Sequence, residues 1–208
     1  SVGKTSTKEM LASVLKEKFK VHKTQGNFNN ELGVPLTLFA MEEDTEVAII
    51  EMGISDFGEM TRLSKIVKPN ICVITNIGCC HLENLGDRAG VLKAKTEMFK
   101  NMQKDGKIFL CGDDDKLSTV KEYNGIAPTF YGLNDTNKYY GEIIENNSEN
   151  GIKCNLHFDG KSIPVTVPAI GNHMVANAMA SVAIGKYLGM TDKEIVRGIE
   201  SYSTIGGR

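Results

Sequence analysis

Hydrophobic residues in the first half of the chain repeat with two different spacings. Met10, Leu11, Val14 and Leu15 fall on one face of a helix over about residues 4–18. Continuous apolar runs follow at 47–50, 71–74 and 108–111, and helical patterns lie between them at about 31–40, 58–67 and 87–102. Apolar runs of this length are typical of strands buried on both faces of a parallel sheet. The alternation of strands and helices predicts an α/β domain with a doubly wound, mostly parallel sheet.

The pattern changes between about residues 125 and 168. Strand-like segments at 139–144, 152–158 and 162–167 are separated by the turn signals Asn150-Gly151 and Asp159-Gly160. They predict a small antiparallel β lobe attached to the main domain. Helical patterns return at about 171–188 and 191–201, and the second begins with the capping box Thr191 to Glu194. We expect residues 1–208 to form one domain with this lobe inside it.

Composition excludes some classes of function. The 208 residues carry a net charge of −2, with 41% hydrophobic and 24% charged residues, as in ordinary globular proteins. This charge gives no basis for binding nucleic acid or an anionic membrane, and no apolar run is long enough to span a bilayer. The cysteines are odd in number and lie mostly in apolar segments, which favours reduced thiols in the cytoplasm over a disulfide framework. They are Cys72, Cys79, Cys80, Cys111 and Cys154.

The first residues match the end of a phosphate-binding loop, G-x-x-x-x-G-K-[ST]. In Ser1-Val2-Gly3-Lys4-Thr5-Ser6, Gly3 lets the backbone approach phosphates and Lys4 neutralises their charge. The Thr5 hydroxyl would bind Mg²⁺. A chance helix start is the alternative, but the amphipathic helix that follows favours binding of a nucleoside triphosphate with magnesium. The first glycine of the motif would precede residue 1, so we expect the chain to be part of a longer protein.

Two polar residues lie in the segments that follow predicted strands. Glu51 comes after the run 47–50, and His81 lies in the loop after 71–74. Ligands of open α/β sheets bind at the carboxyl ends of the strands, so Glu51 is a candidate Mg²⁺ ligand and His81 a candidate site residue. An ordinary solvated acid and a solvated loop histidine are the alternatives. Cys79-Cys80-His81 lacks the spacing of a zinc site.

Lys95 lies on the apolar side of its predicted helix. Val91, Leu92, Met98 and Phe99 define that side, and Lys95 falls in the middle of it. A lysine that faces a core must extend to water, pair with an acid or lose its charge. Extension to water is the simplest alternative, but the helix follows the His81 loop, which favours a role in the same site.

Together these segments resemble the central domain of the Mur ligase family. The matching segments are Gly3 to Lys8, Gly26 to Pro35, Glu51-Met52-Gly53, Thr75 to Gly78 with His81, Leu92 to Lys95, Gly171-Asn172-His173 with Asn177, and Gly207-Arg208. The resemblance covers essentially the whole chain. The segment 27–35 and the Glu-Met-Gly sequence are most similar to the ligases that add D-alanyl-D-alanine to UDP-N-acetylmuramoyl-tripeptide in peptidoglycan synthesis.

The resemblance implies a set of ATP and metal contacts. Ser1 to Ser6, and Lys4 above all, would hold the ATP phosphates, His173 and Asn177 would lie at the adenine, and Arg208 would reach the phosphates. Thr5 and Glu51 would bind one Mg²⁺. His81 would bind a second Mg²⁺ bridged by a carbamylated Lys95, which makes Lys4, His81 and Lys95 the catalytic residues. Asn27, Asn29 and Asn30 would face the nucleotide-sugar peptide, although an Asn- and Gly-rich loop is also a plain turn signal.

It also implies an ADP-forming peptide ligase of the bacterial cytoplasm. The substrate carboxylate would become an acyl phosphate, which the amine of D-alanyl-D-alanine then attacks. A uridine-nucleotide domain and an amine-substrate domain would flank this one in the full-length chain, so residues 1–208 alone are expected to bind ATP without turnover. The alternatives are a ligase adding the third peptide residue, a folylpolyglutamate synthetase or a non-catalytic nucleotide-binding module. A GTPase is disfavoured because Asn137-Lys138-Tyr139-Tyr140 is not a guanine-binding motif.

Overall fold

The computed structural model describes residues 3–79, 81–147 and 150–203. Its α-helices are α1 (Lys4–Leu15), α2 (Gly33–Phe39), α3 (Glu59–Val67), α4 (Leu82–Leu85), α5 (Arg88–Thr96), α6 (His173–Tyr187) and α7 (Asp192–Glu200). Its strands are β1 (Val21–Lys23), β2 (Val47–Ile49), β3 (Ile71–Ile74), β4 (Lys107–Cys111), β5 (Thr129–Gly132), β6 (Tyr139–Asn147), β7 (Gly151–Phe158) and β8 (Lys161–Val167). Short 3₁₀ helices span Glu97–Asn101 and Leu117–Thr119. Within the described ranges, no helix combines the length and the apolar character needed to cross a bilayer.

The strands form two sheets. β1 and β2 pair in parallel as a two-stranded sheet, and the other six strands follow the order β3-β4-β5-β6-β7-β8. Pairing is parallel from β3 to β6 and antiparallel from β6 to β8. The predicted mixed α/β architecture with a mostly parallel sheet is therefore confirmed.

The antiparallel strands predicted within about 125–168 are present as part of the main sheet. The antiparallel strands β6, β7 and β8 continue the main sheet instead of forming a sheet of their own. The connection is a short parallel pairing in which Tyr131 lies opposite Tyr139 and Gly132 opposite Tyr140. The missed strand β5 supplies one side of this pairing. The lobe is thus an extension of the same hydrogen-bonded sheet.

Helix α6 is the centre of the helical layer on one side of the sheet. It is apolar around most of its circumference, and it packs against α1, α7 and strands β4 to β6. Gly141 on β6 allows this close approach, because a Cβ atom there would lie 2.4 Å from Cγ1 of Val175. Helix α7 begins at the predicted capping box, in which Thr191 and Glu194 each bond the backbone of the other. The helix layer fixes α1, whose N-terminus carries the predicted phosphate loop.

Burial of the strands differs from the expectation of two covered faces. β4 is buried at four successive positions, from Ile108 to Cys111. β2 is only partly covered, and Ala48 is exposed, because β2 belongs to the two-stranded sheet. The predicted helix at 87–102 is α5 followed by a 3₁₀ segment. Of the cysteines in the described ranges, Cys72, Cys111 and Cys154 are buried free thiols and Cys79 is an exposed one.

Candidate nucleotide and metal site

The N-terminus of α1 has the geometry of an anion-binding turn. Gly3 precedes the helix with φ of 101°, a left-handed conformation that favours glycine. The Thr7 amide and hydroxyl both donate to the carbonyl of Gly3, at 2.9 and 2.8 Å. Lys4 is the first helical residue, and the helix dipole favours an anion beside it. Ser1 and Val2, also predicted to contact ATP, lie outside the described residues.

Glu51 lies two residues after the end of β2 and faces this turn. The Thr5 hydroxyl donates to Oε2 of Glu51 at 3.1 Å, and the Asn29 amide donates to Oε1 at 2.9 Å. The Glu51 backbone amide donates to the Thr24 hydroxyl at 2.9 Å, which fixes the strand end. The residue is only 7% exposed. The fold therefore brings together a hydroxyl and a carboxylate, the oxygen donors that Mg²⁺ prefers.

Lys8 belongs to the same cluster and was not assigned a role from the sequence. Its Nζ lies 3.4 Å from Oε2 of Glu51 and 3.6 Å from Oε1 of Glu9, and Glu9 also pairs with Lys23. The side chain of Lys8 is 3% exposed. One turn of helix separates Lys8 from Lys4, so the two lysines share a side of α1. That spacing is a signal that could have identified Lys8.

The prediction that Lys95 faces inward is confirmed. It is 9% exposed, and its Nζ donates to the carbonyl of Asn76 in the loop after β3. His81 begins α4 in a left-handed conformation, with φ of 61°, and is exposed. Both residues line the same cavity as Lys4 and Glu51. Their joint binding of a cation stays a prediction.

This cavity has a volume of about 1040 Å³ and two chemically different parts. The part at the N-terminus of α1 is polar and is lined by Lys4, Lys8, Asn29, Glu51, His81 and Lys95. The other part is apolar and lies between β2 and β3, with Leu11 and Leu15 of α1 contributing to its wall. In the described part of the chain β2 and β3 do not pair with each other. The charged groups of the cavity therefore lie in its polar part.

The three asparagines predicted to face substrate occupy different environments. Asn29 bonds Glu51, whereas Oδ1 of Asn30 accepts from the amides of Leu32 and Gly33 at 3.1 and 2.8 Å. Asn30 therefore stabilises the start of α2 from within its own loop. Asn27 is exposed, and its carbonyl accepts from the Asn29 amide. Only Asn29 reaches the Glu51 cluster.

The two predicted adenine contacts, His173 and Asn177, lie on α6. Asn177 is 6% exposed, and its Oδ1 accepts from the Thr7 hydroxyl at 2.8 Å. It thereby links α6 to the phosphate turn, and an adenine contact would require this buried amide to become accessible. His173 is exposed at the start of α6, and Ser6 is half-buried in α1. Arg208 lies outside the described residues.

Comparison with known proteins identifies the family of the chain. The family model described as Mur ligase middle domain matches residues 1–185. The chain belongs to the Mur ligase middle-domain family. It is similar to the UDP-N-acetylmuramoyl-tripeptide–D-alanyl-D-alanine ligase of Bacillus subtilis strain 168, with 40% identity over 100% of this chain and 44% of that protein. The chain thus spans less than half the length of this relative.

Solved structures of Mur ligases share the whole fold. A crystal structure of MurF from Acinetobacter baumannii matches with a TM-score of 0.92 and 33% identity, over 100% of this chain and 46% of that one. MurF from Thermotoga maritima in complex with ADP matches with a TM-score of 0.88 and 29% identity, over 100% and 48%. This Mur ligase domain therefore has the backbone arrangement of a family member that holds ADP.

Proposed function

We propose that the full-length protein is an ATP-dependent, ADP-forming peptide ligase that joins UDP-N-acetylmuramoyl-tripeptide to D-alanyl-D-alanine. The observation that carries the proposal is the contact between Thr5 and Glu51 at the N-terminus of α1. It places a hydroxyl and a buried carboxylate where a helix start favours phosphate. Further support comes from the names of the relatives, which match this chain along its full length.

The proposed reaction has two steps. An oxygen of the tripeptide carboxylate attacks the γ-phosphorus of ATP, and the bond to the β-phosphate oxygen breaks, which gives an acyl phosphate and ADP. The amine of D-alanyl-D-alanine then attacks the acyl carbon, loses a proton, and releases phosphate with the oxygen that came from the carboxylate. Both partners in the first step are anions, so charge neutralisation and positioning supply most of the catalysis.

Each group of the phosphate turn has a part in that step. Lys4 and the first amides of α1 bind and orient the ATP phosphates. Thr5 and Glu51 hold Mg²⁺, which neutralises phosphate charge when bound. In the described residues no cluster of three or more His, Cys, Asp and Glu side chains forms a cation site by itself. The proposed magnesium site is therefore completed by the phosphates of ATP.

A second magnesium ion is proposed at His81 and Lys95. The Lys95 amine is buried, and reaction with CO₂ forms an N–C bond and releases a proton, which gives an anionic carbamate. That change would turn a lysine near the cavity into an oxygen ligand. Because the carbamate nitrogen keeps one hydrogen, Lys95 could still donate to the Asn76 carbonyl.

The remaining site residues belong to the substrates and the rest of the protein. Asn27, Asn29 and Asn30 contact the nucleotide-sugar peptide in this proposal. Ser1, Val2, Gly3 and Ser6 contact the phosphates, His173 and Asn177 the adenine, and Arg208 the phosphates. Flanking domains supply the uridine-nucleotide and amine-substrate sites, and the enzyme acts in the bacterial cytoplasm. Residues 1–208 alone bind ATP without turnover.

Phosphate release by the full-length protein tests the proposal. Release should require ATP, Mg²⁺, the UDP-muramoyl-tripeptide and D-alanyl-D-alanine together. Lys4→Met should abolish it, and Lys16→Met, a change at an exposed lysine after the end of α1, should not. Equal turnover with glutamate in place of the dipeptide would assign another ligase specificity. ATP binding with no turnover under any of these conditions would assign a non-catalytic nucleotide-binding module.

A further inference from the structure

The loop after β3 is held at consecutive backbone groups. The Asn76 carbonyl accepts from Nζ of Lys95, and the Ile77 amide donates to Oδ2 of Asp114 at 2.8 Å. The Ile77 carbonyl accepts from Nε of Arg88 at 2.9 Å. Ile77 itself is 1% exposed. The backbone at Asn76 and Ile77 is therefore held from three directions.

Asp114 is a rigid support for this loop. Its Oδ1 accepts from the amides of Lys116 and Leu117, at 2.9 and 3.0 Å, while Oδ2 receives the Ile77 amide. Leu117 is fully buried, which anchors the turn after β4 in the core. A carboxylate that accepts three backbone donors has little freedom to rotate. Asp114 therefore holds the loop after β3 against the turn after β4.

Arg88 connects three parts of the structure. It is the first residue of α5, the helix that carries Lys95, and its Nε bonds the loop after β3. Its guanidinium also pairs with Asp115, with Nη1 3.0 Å from Oδ2 of that residue. Nη2 of Arg88 lies 3.5 Å from Oδ2 of Asp114. The pairing with Asp115 raises the pKa of Arg88 and lowers that of Asp115, so both stay charged at neutral pH.

We propose that Arg88 and Asp114 are positioning residues that set the separation between His81 and Lys95. This inference rests on the proposed function, in which those two residues hold the second divalent cation. Arg88 and Asp114 both bond the backbone of Ile77, and these contacts are called the clamp below. His81 follows the loop that contains Ile77, and Lys95 lies two helical turns beyond Arg88 on α5. The contacts at Ile77 therefore tie α5, which carries Lys95, and the start of the loop that precedes His81 to the turn after β4. Groups that orient metal ligands typically change metal affinity about 10- to 100-fold when they are replaced.

Manganese titration of the full-length protein with ADP, followed by electron paramagnetic resonance, tests the clamp apart from catalysis. Arg88→Lys keeps the charge but loses the planar fork that reaches Ile77 and Asp115 together. Asp114→Asn keeps the shape but loses one acceptor oxygen. The control is Arg197→Lys, because Arg197 pairs at the surface with Glu17, which follows the end of α1.

The expected result is a loss of about 10- to 100-fold in affinity for one of two manganese ions in both variants, with the other ion unaffected. Arg197→Lys should leave both affinities unchanged. Unchanged binding in Arg88→Lys and Asp114→Asn, or a single manganese ion in the unaltered protein, would overturn the inference. Two bound ions without ligation in the unaltered protein would instead overturn the proposed function and leave the clamp intact.

Discussion

Nζ of Lys8 lies 3.4 Å from Oε2 of Glu51, and both side chains are almost fully buried. The pair joins the second turn of α1 to the segment that follows β2. A buried charge that loses its partner is strongly destabilising, whereas the replacement of both charges by apolar groups is often tolerated. Lys8 therefore fixes the carboxylate that the proposed magnesium site needs.

Lys8→Met should lower the free energy of unfolding by about 3–5 kcal/mol, because Glu51 keeps a buried charge without its ion-pair partner. The double variant Lys8→Met/Glu51→Leu should recover much of this stability and remain inactive, since the metal ligand is gone. Urea unfolding and phosphate release measure the two properties. A loss in the double variant equal to the sum of the losses in Lys8→Met and Glu51→Leu alone would show that the two charges do not interact.

Thr5→Val should raise the magnesium concentration needed for half-maximal turnover by about 10- to 100-fold. The matched variant Thr5→Ser should be near the unaltered protein, because serine keeps the hydroxyl that faces Glu51. Magnesium titrations of phosphate release measure the effect. A large defect in Thr5→Ser would show that the methyl group, rather than the hydroxyl, is important.

Lys95→Ala should reduce turnover by more than about 100-fold, beyond the usual effect of a group that only orients a metal ligand. Lys93→Ala on the exposed side of α5 is the control and should be nearly neutral. Added acetate should restore part of the activity of Lys95→Ala, because its carboxylate replaces the carbamate. Mass spectrometry of the intact protein that finds no CO₂ adduct, with no rescue by acetate, would contradict carbamylation.

Thr7→Val should destabilise the protein by about 1–3 kcal/mol, because it leaves Oδ1 of Asn177 without its donor, and Asn177→Ala should cost less, because the Thr7 hydroxyl still donates to the Gly3 carbonyl. The double variant should lose less than the sum, since the two residues share one hydrogen bond. Denaturant unfolding measures this coupling. Additive losses would show that Asn177 acts independently of Thr7, as an adenine-binding residue would.

Iodoacetamide should label Cys79 at neutral pH and spare the three buried cysteines until the protein unfolds. Burial raises the pKa of Cys72 and Cys154 to about 12 and that of Cys111 to about 11, so almost none of each is thiolate. Peptide mapping measures the sites in a Cys80→Ser background. Early labelling of Cys111 would contradict the buried position of β4.

Sequence reasoning succeeded where local spacing determines the answer. The inward direction of Lys95 follows from its neighbours on one helix, and the capping box of α7 lies within four residues. It failed where the partner is distant in the chain. The pairing of Lys8 with Glu51 and the exposure of Ala48 depend on how α1 and β2 meet in space.

How the antiparallel strands join the main sheet was not predicted, for the same physical reason. Turn signals identify β6, β7 and β8 correctly, but alternation along a strand does not specify which strand lies beside it. The short parallel pairing of β5 with β6 decides that point, and β5 is a strand of only four residues. The clamp of Arg88 and Asp114 on Ile77 was equally hidden, because three separate segments form it.

The most direct test of the proposed ligase follows one oxygen atom. UDP-muramoyl-tripeptide labelled with oxygen-18 in its terminal carboxylate is incubated with the full-length protein, ATP, Mg²⁺ and D-alanyl-D-alanine, and the released phosphate is analysed by mass spectrometry. Activation as an acyl phosphate predicts one labelled oxygen in phosphate for each amide bond formed, together with ADP. Unlabelled phosphate, or AMP in place of ADP, would contradict the account.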